Sequence, residues 1–413
     1  VRILGLAGDD SGSGFYRVQL PLAMLADHGH QVRGLTQTPG PIPWARLRVG
    51  PGPEESPLGS GVVAVEVEIR PGEVATFQLD AKARAKLPPV PNDPVDLVVG
   101  QRIVRPDLLA TWRRLGAVTR RVLDLDDDLF RIPPDNRRAY GIYSVPQVQT
   151  TLREAVALSD LVTVSTEPLA RAVLDECQID PARVVVLTNR VPASLLAVNR
   201  TRRDRVTVGW AGSPSHEPDM ALVAVPLRKF LDRHRDVDLH LIGHDWRSAM
   251  GLRRSNVRVT GWAESLPAYW RSIDFDIGLA PLAHSIFAMS KSAIKVLEYG
   301  ALGIPSIASD EAPYRDAIVD GVTGFLVRRP DDWERRLHDL VCDAAMRAEM
   351  GAAAKAHIAA NHSMNAGWQD WERAYGALCG AQTAATPRNR PDRTVTTRRV
   401  PVPVRASQRQ KVG

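Results

Sequence analysis

Met289-Ser-Lys-Ser-Ala-Ile-Lys-Val-Leu-Glu-Tyr-Gly-Ala-Leu-Gly-Ile-Pro-Ser-Ile-Ala-Ser309 is the stretch on which the fold of this chain turns. Its spacing predicts a helix over residues 290–302 that runs into a strand over 305–308, the repeating unit of a parallel α/β sheet. The helix is expected to start near Ser290, with Lys291 and Ser292 in its first turn beside free backbone N–H donors. Lys295 follows one helical turn later, and Glu298 about one turn beyond that. A diphosphate fits such an N-terminus and its two lysines, while Glu298 accepts hydrogen bonds from vicinal hydroxyls. An amphipathic helix with a Lys–Glu surface pair fits the same residues, and local physics leaves the two readings open.

Two other places put backbone donors where phosphate can sit. Gly212-Ser213-Pro214-Ser215-His216 follows a strand-like run that restarts at Val206. Gly12-Ser13-Gly14 follows the strand-like Val1-Arg-Ile-Leu-Gly-Leu and precedes a helical pattern over 16–28. Glycines there allow a tight turn and close approach to a ligand. The dinucleotide fingerprint G-x-G-x-x-G is incomplete, because its third glycine is replaced by Arg17. That arginine reads either as an anion clamp on the first helical turn or as a solvated side chain.

Further strands are expected at 62–69, 95–99, 121–125, 161–164 and 184–187. A second α/β unit is expected to restart at 206–213 and to continue through 238–243, 257–260, 275–280, 305–308 and 324–327. The chain therefore divides into a first Rossmann-like domain (1–190), a linker (191–203), a second Rossmann-like domain (204–362), a C-terminal helix (363–380) and a tail (381–413). At 413 residues, two cores are the default expectation. Residues 38–60 read as a long Pro- and Gly-rich loop. The last helix carries Trp368, Trp371, Tyr375 and Leu378 at helical spacing, a core-packing stripe.

The formal charge of +6 is unevenly spread. Residues 381–413 hold seven Arg and one Lys against one Asp, which leaves the preceding body slightly acidic. The tail reads as disordered, and either as a sequence-independent anchor for DNA or an anionic surface or as a solubilising terminus. No run approaches the roughly 18 apolar residues of a membrane span, and no secretory signal is recognisable. Three scattered cysteines suggest a reducing compartment without disulfides or a zinc site. A cytoplasmic location is the expectation.

Leu123-Asp-Leu-Asp-Asp-Asp-Leu-Phe follows a strand, so its carboxylates should lie at the C-terminal edge of the first sheet. Asp126 to Asp128 contain an Asp-x-Asp, a pattern able to hold a divalent cation. Acceptor contact, with Asp127 or Asp128 taking a proton, is a second reading, and helix capping a third. Gln101 and Arg102 should face the same crevice, where Arg102 can neutralise phosphate.

Residues 206–327 resemble the donor domain of retaining glycosyltransferases of the GT-B fold, commonly grouped as family 4. The likeness rests on Gly209-Trp-Ala-Gly-Ser, Leu241-Ile-Gly, Asp274-Phe-Asp-Ile-Gly-Leu-Ala-Pro281, Lys291-Ser, Lys295 to Glu298, Gly303-Ile-Pro-Ser-Ile-Ala-Ser and Asp320-Gly-Val-Thr-Gly-Phe-Leu-Val. Softer matches are His28-Gly-His-Gln-Val, the Ser165-Thr run and Leu187-Thr-Asn-Arg-Val. The resemblance implies a nucleoside-diphosphate sugar as donor, no strictly required metal, and ribose binding by Glu298. The family's first glutamate falls at Ser290, and its usual Arg and Lys are missing near His216, so Lys291 is expected to supply the charge. Lys291, Lys295 and Asp127 are the expected catalytic residues. Gly12, Gly14, Gly212, Ser213, His216, Ser292 and Glu298 are expected at the donor, and Arg17, Arg102 and Asp128 at the acceptor or phosphate. The Tyr16-Arg17 entry, the Asp run and the Lys-Ser helix are similar to transferases of actinobacterial phages. That likeness, with the basic tail, points to a hydroxymethylated base in phage DNA as acceptor. A glycan or lipid-linked acceptor, a nucleotide-sugar epimerase and an inactive nucleotide-binding module are the alternatives.

Overall fold

The computed structural model describes residues 1–9, 12–34, 95–117, 119–201, 203–253 and 256–380, with the backbone alone of 35–36, 62–70 and 73–80. The loop expected at 38–60 and the tail at 381–413 lie outside the described residues.

Two six-stranded sheets carry the molecule, and every pairing in them is parallel. The first is built from β1 (Arg2–Ala7), β2 (Gln31–Thr36), β5 (Leu97–Gln101), β6 (Arg120–Leu125), β7 (Leu161–Val164) and β8 (Val184–Val186), in the order β2-β1-β5-β6-β7-β8. The second holds β9 (Thr207–Ala211), β10 (Asp238–Ile242), β11 (Val257–Thr260), β12 (Ile277–Ala280), β13 (Ser306–Ser309) and β14 (Gly324–Val327), in the order β11-β10-β9-β12-β13-β14. Strands buried on both faces read as continuous apolar runs, and β5 and β9 are buried at every position. In each sheet the first strand lies between neighbours reached in opposite directions. The crevice beyond the strands' carboxyl ends at such a switch point is where open α/β sheets bind ligands.

Three local expectations differ from the structure. The strand expected at 62–69 does not join the first sheet: β3 (Val62–Arg70) and β4 (Glu73–Asp80) pair antiparallel with each other alone. The first helical region starts earlier than expected, as a turn at Gly12–Gly14 followed by a π-helical turn at Phe15–Gln19 and the helix Leu20–Asp27. The helix expected from Ser290 is broken into Ile286–Met289 and Ile294–Ala301. The Ser290 carbonyl, which a continuous helix would offer to the Ile294 N–H, accepts from the Thr166 hydroxyl at 2.8 Å instead.

The chain crosses between the halves at two adjacent points, where the Val191 N–H bonds the His362 carbonyl (2.9 Å) and the Met364 N–H bonds the Val191 carbonyl (2.8 Å). The last helix, Gln369–Cys379, returns to the first half. There Trp371 and Tyr375 are buried in one cluster with Ile3, Leu22 and Leu97, and Trp368 stacks on His28 at 3.7 Å. The same cluster continues through Ile242, Trp270 and Tyr299, so the halves share a core. Among the described residues, no helix is long and apolar enough to cross a membrane.

Candidate active site

The two switch points lend loops to one region between the sheets. From the first half come the Gly12–Gly14 turn after β1, Arg102 after β5 and the aspartates after β6. Gly14 has a specific reason to be glycine: an added Cβ would lie 1.9 Å from the Asp9 carbonyl oxygen. The turn it permits brings the Ser13 hydroxyl onto the Asp126 carboxylate and within 2.9 Å of the Gln101 amide nitrogen. Arg102 adopts a left-handed backbone (φ 52°), uncommon for a side chain of its size. Its guanidinium contacts Asp9 and lies 3.8 Å from Asp126. Burial works against that charge, but Asp126 and Asp9 outweigh it and hold the Arg102 pKa far above its ordinary value.

From the second half, Lys295 and Glu298 rise from the helix Ile294–Ala301, and both are buried (8% and 5% exposed). They are therefore no surface pair. The Lys295 ammonium donates to the Ala211 carbonyl and lies 4.7 Å over the Trp210 ring. Burial pushes its pKa down to about 8, against the pull of Glu298. Gly212 leaves room for it, since a Cβ there would lie 2.6 Å from Trp210 and 2.9 Å from the ammonium. Glu298 accepts from Tyr16 across the interface (2.7 Å), and from Tyr269 (3.1 Å) and Trp270 (3.3 Å) on its own side. Burial raises its pKa, partly offset by the Tyr16 hydrogen bond and by Lys295.

His216 ends the Pro214–His216 turn after β9, and its Nδ1 lies 2.6 Å from Asp219. Asp219 also accepts the Ala283 N–H at 2.7 Å, which ties the loops after β9 and β12 together. Burial, and next the charge of Lys295, lower the His216 pKa to about 4. The ring is thus neutral near pH 7, with its proton on the nitrogen facing Asp219 and a lone pair on Nε2. Ser213 bonds Ser215 at 2.7 Å. Ser292 accepts from Asn189 of the first half at 2.9 Å.

The charge of Lys291 acts on Asp127 across the halves. Burial raises the Asp127 pKa, and Lys291 is the chief opposing influence. Lys291 precedes the helix and lies 4.8 Å over the Phe287 ring. The region thus sets two lysines and a neutral histidine on one side against a carboxylate on the other, an arrangement able to hold a diphosphate beside a proton acceptor.

Residues 205–343 match the family model described as glycosyl transferases group 1. The second half is thus similar to a group 1 glycosyltransferase domain. Over 233 residues the chain is 28% identical to a D-inositol 3-phosphate glycosyltransferase of Stackebrandtia nassauensis, covering 50% of this chain and 52% of that protein. A protein of the same name from Geodermatophilus obscurus is 26% identical over 263 residues, with 56% and 54% covered. The chain thus spans about half the length of the curated relatives it matches. Among solved structures, a glycosyltransferase of Rickettsia africae superposes with a TM-score of 0.59 at 12% identity, covering 91% of this chain and 98% of that one. Anabaena HepE in complex with UDP-glucose gives 0.56 at 15% identity, with 92% and 99% covered. At these identities the likeness concerns the fold alone, and that fold is GT-B, with which the two six-stranded parallel sheets agree.

Within this two-sheet framework some expected residues stand apart from the cleft. Arg17 is fully buried, with Asp124 at 2.7 Å, Asn189 at 2.9 Å and the Leu187 carbonyl around its guanidinium. It pins the first sheet from beneath and is no solvated clamp. Asp128 is also buried and accepts the Phe130 N–H at 3.2 Å, capping a turn. Gly12, by contrast, stays at the cleft with its turn, with open space where a Cβ would sit. Among the described residues no cluster of three or more metal-ligating side chains forms. Tyr16, Tyr269, Asp219, Phe287, Thr166 and Asn189 escape a sequence reading as site residues. Only Tyr16, Thr166 and Asn189 carry a signal, each standing inside a motif quoted for its resemblance.

Proposed function

We propose that the protein transfers a sugar from a nucleoside-diphosphate sugar to an acceptor hydroxyl, with retention at the anomeric carbon. The observation that carries this reading is the placement of Lys291, brought to the first half by the bonds of Ser290 and Ser292 to Thr166 and Asn189, with buried Lys295 on the helix that follows. The lysines neutralise charge as it develops on the departing diphosphate. The acceptor lies against the first half, at Asp127. The curated relatives are all named as transferases, which favours transfer over epimerisation.

For the acceptor, the inositol phosphate named for those relatives favours a polyol or glycan, and the basic 381–413 segment favours a hydroxymethylated base in DNA. The deciding test is mass spectrometry after incubation with a panel of nucleotide sugars and either hydroxymethylated DNA, unmodified DNA, inositol phosphate or no acceptor. A sugar-sized mass gain in one arm identifies the acceptor. A donor neither bound nor consumed would overturn the proposal. Asp127→Asn separates two roles: a loss in kcat of about 10²-fold or more marks a proton acceptor, and a loss below tenfold marks an orienting group.

A further inference from the structure

We infer that Thr166 and Asn189 are positioning residues for Lys291, so that this cation reaches its working place only while the two halves are docked. The inference rests on the donor reading above.

The segment 286–292 belongs to the second half by sequence but is held by the first. Phe287 is buried in the same apolar cluster as Leu6, Leu125, Leu129 and Leu169 of the first half. The Thr166 hydroxyl donates to the Ser290 carbonyl at 2.8 Å, and the Asn189 amide donates to the Ser292 hydroxyl at 2.9 Å. These two bonds flank Lys291 on either side. Among the described residues, they are the side-chain hydrogen bonds that reach 290–292 from outside the segment. Each donor is itself fixed. Thr166 caps the helix Glu167–Cys177, accepting the Leu169 N–H at 3.3 Å, which turns its own hydrogen toward Ser290. Asn189 accepts from Arg17 at 2.9 Å, and Arg17 is locked to Asp124.

The two lysines therefore differ in kind. Lys295 is anchored by Ala211 and Trp210 within the second half. Lys291 stands between Ser290 and Ser292, which are bonded by side chains of the first half. A lysine is a compact charge on a flexible stem, so its backbone decides where the charge falls. Misplacement by about 1 Å can cost on the order of 10²-fold in rate.

The test is calorimetric binding of UDP, GDP or ADP, whichever the unaltered chain prefers, against the matching nucleoside. Thr166→Val and Asn189→Ala should each weaken the diphosphate roughly tenfold and leave the nucleoside unchanged, and Thr166→Ser should restore wild-type binding. In a Lys291→Met background the same substitutions should have no further effect, as a double-mutant cycle requires of residues acting through Lys291. Equal weakening of nucleoside and diphosphate, or an undiminished effect without Lys291, would overturn the inference while sparing the donor reading. An unaltered chain that binds none of the three diphosphates would overturn both. Asn189→Ala, which leaves the helix cap intact, reports independently if Thr166→Val fails to fold.

Discussion

Lys295 is a buried ammonium whose pKa of about 8 lies below that of a free lysine, and the sign of that shift has two consequences. Its charge is present below pH 8 and lost as pH rises through it, so affinity for a nucleoside diphosphate should fall in that range. Stability should move the other way. Between about 8 and the unfolded value near 10.4 the unfolded chain binds the extra proton, and the penalty of burying the charge is lifted. Lys295→Met should flatten both profiles, measured by calorimetry and by urea unfolding across pH. His216, lowered to about 4, should contribute no inflection near pH 6.5, where a free histidine titrates. Arg17 has a structural part at the same scale. Arg17→Met leaves Asp124 buried without its cation and should cost about 3–5 kcal/mol in urea unfolding. Adding Asp124→Leu should recover part of that loss, because the second charge is then gone as well.

At the scale of elements, the turns after β1, β6 and β12 do most of the positioning. The Gly12–Gly14 turn runs into a π-helical turn, an irregularity that recurs at functional sites. Gly14→Ala would drive a methyl into the Asp9 carbonyl, and only movement of the backbone can relieve that contact. The expected cost is about 1–3 kcal/mol, read as a fall in Tm, with the Ser13–Asp126 bond disrupted. The broken helix before Ile294 shows how an element boundary escapes a sequence reading. Ser290 to Ser292 have adequate helix propensity, yet their polar groups are claimed by Thr166 and Asn189, more than a hundred residues away. A pattern within 15 residues contains no trace of such partners. The hairpin of β3 and β4 is a similar case, since a strand period does not name its sheet.

Across the whole molecule, the last helix ties the halves together by returning to the first sheet. Trp371→Ala would open a cavity in the shared core and should cost about 3–5 kcal/mol, measured by thermal or urea unfolding. Several features at this scale follow from short-range information. The alternation of buried strands and helices in both halves, the glycine turns and the aromatic stripe of 368–378 are legible because period and turn chemistry are local properties. The likeness of 206–327 to a donor domain is legible for the same reason, as is the place of Asp127 at a strand's carboxyl end. Other assignments depend on long-range packing. Folding buries Arg17 against Asp124 and carries the Lys295 charge out of water. It also gives Glu298 a tyrosine from the opposite half and brings the charge of Lys291 to bear on Asp127. Which charge ends up beside which is a matter of contacts between distant segments, and these exist only once both sheets have closed over one core.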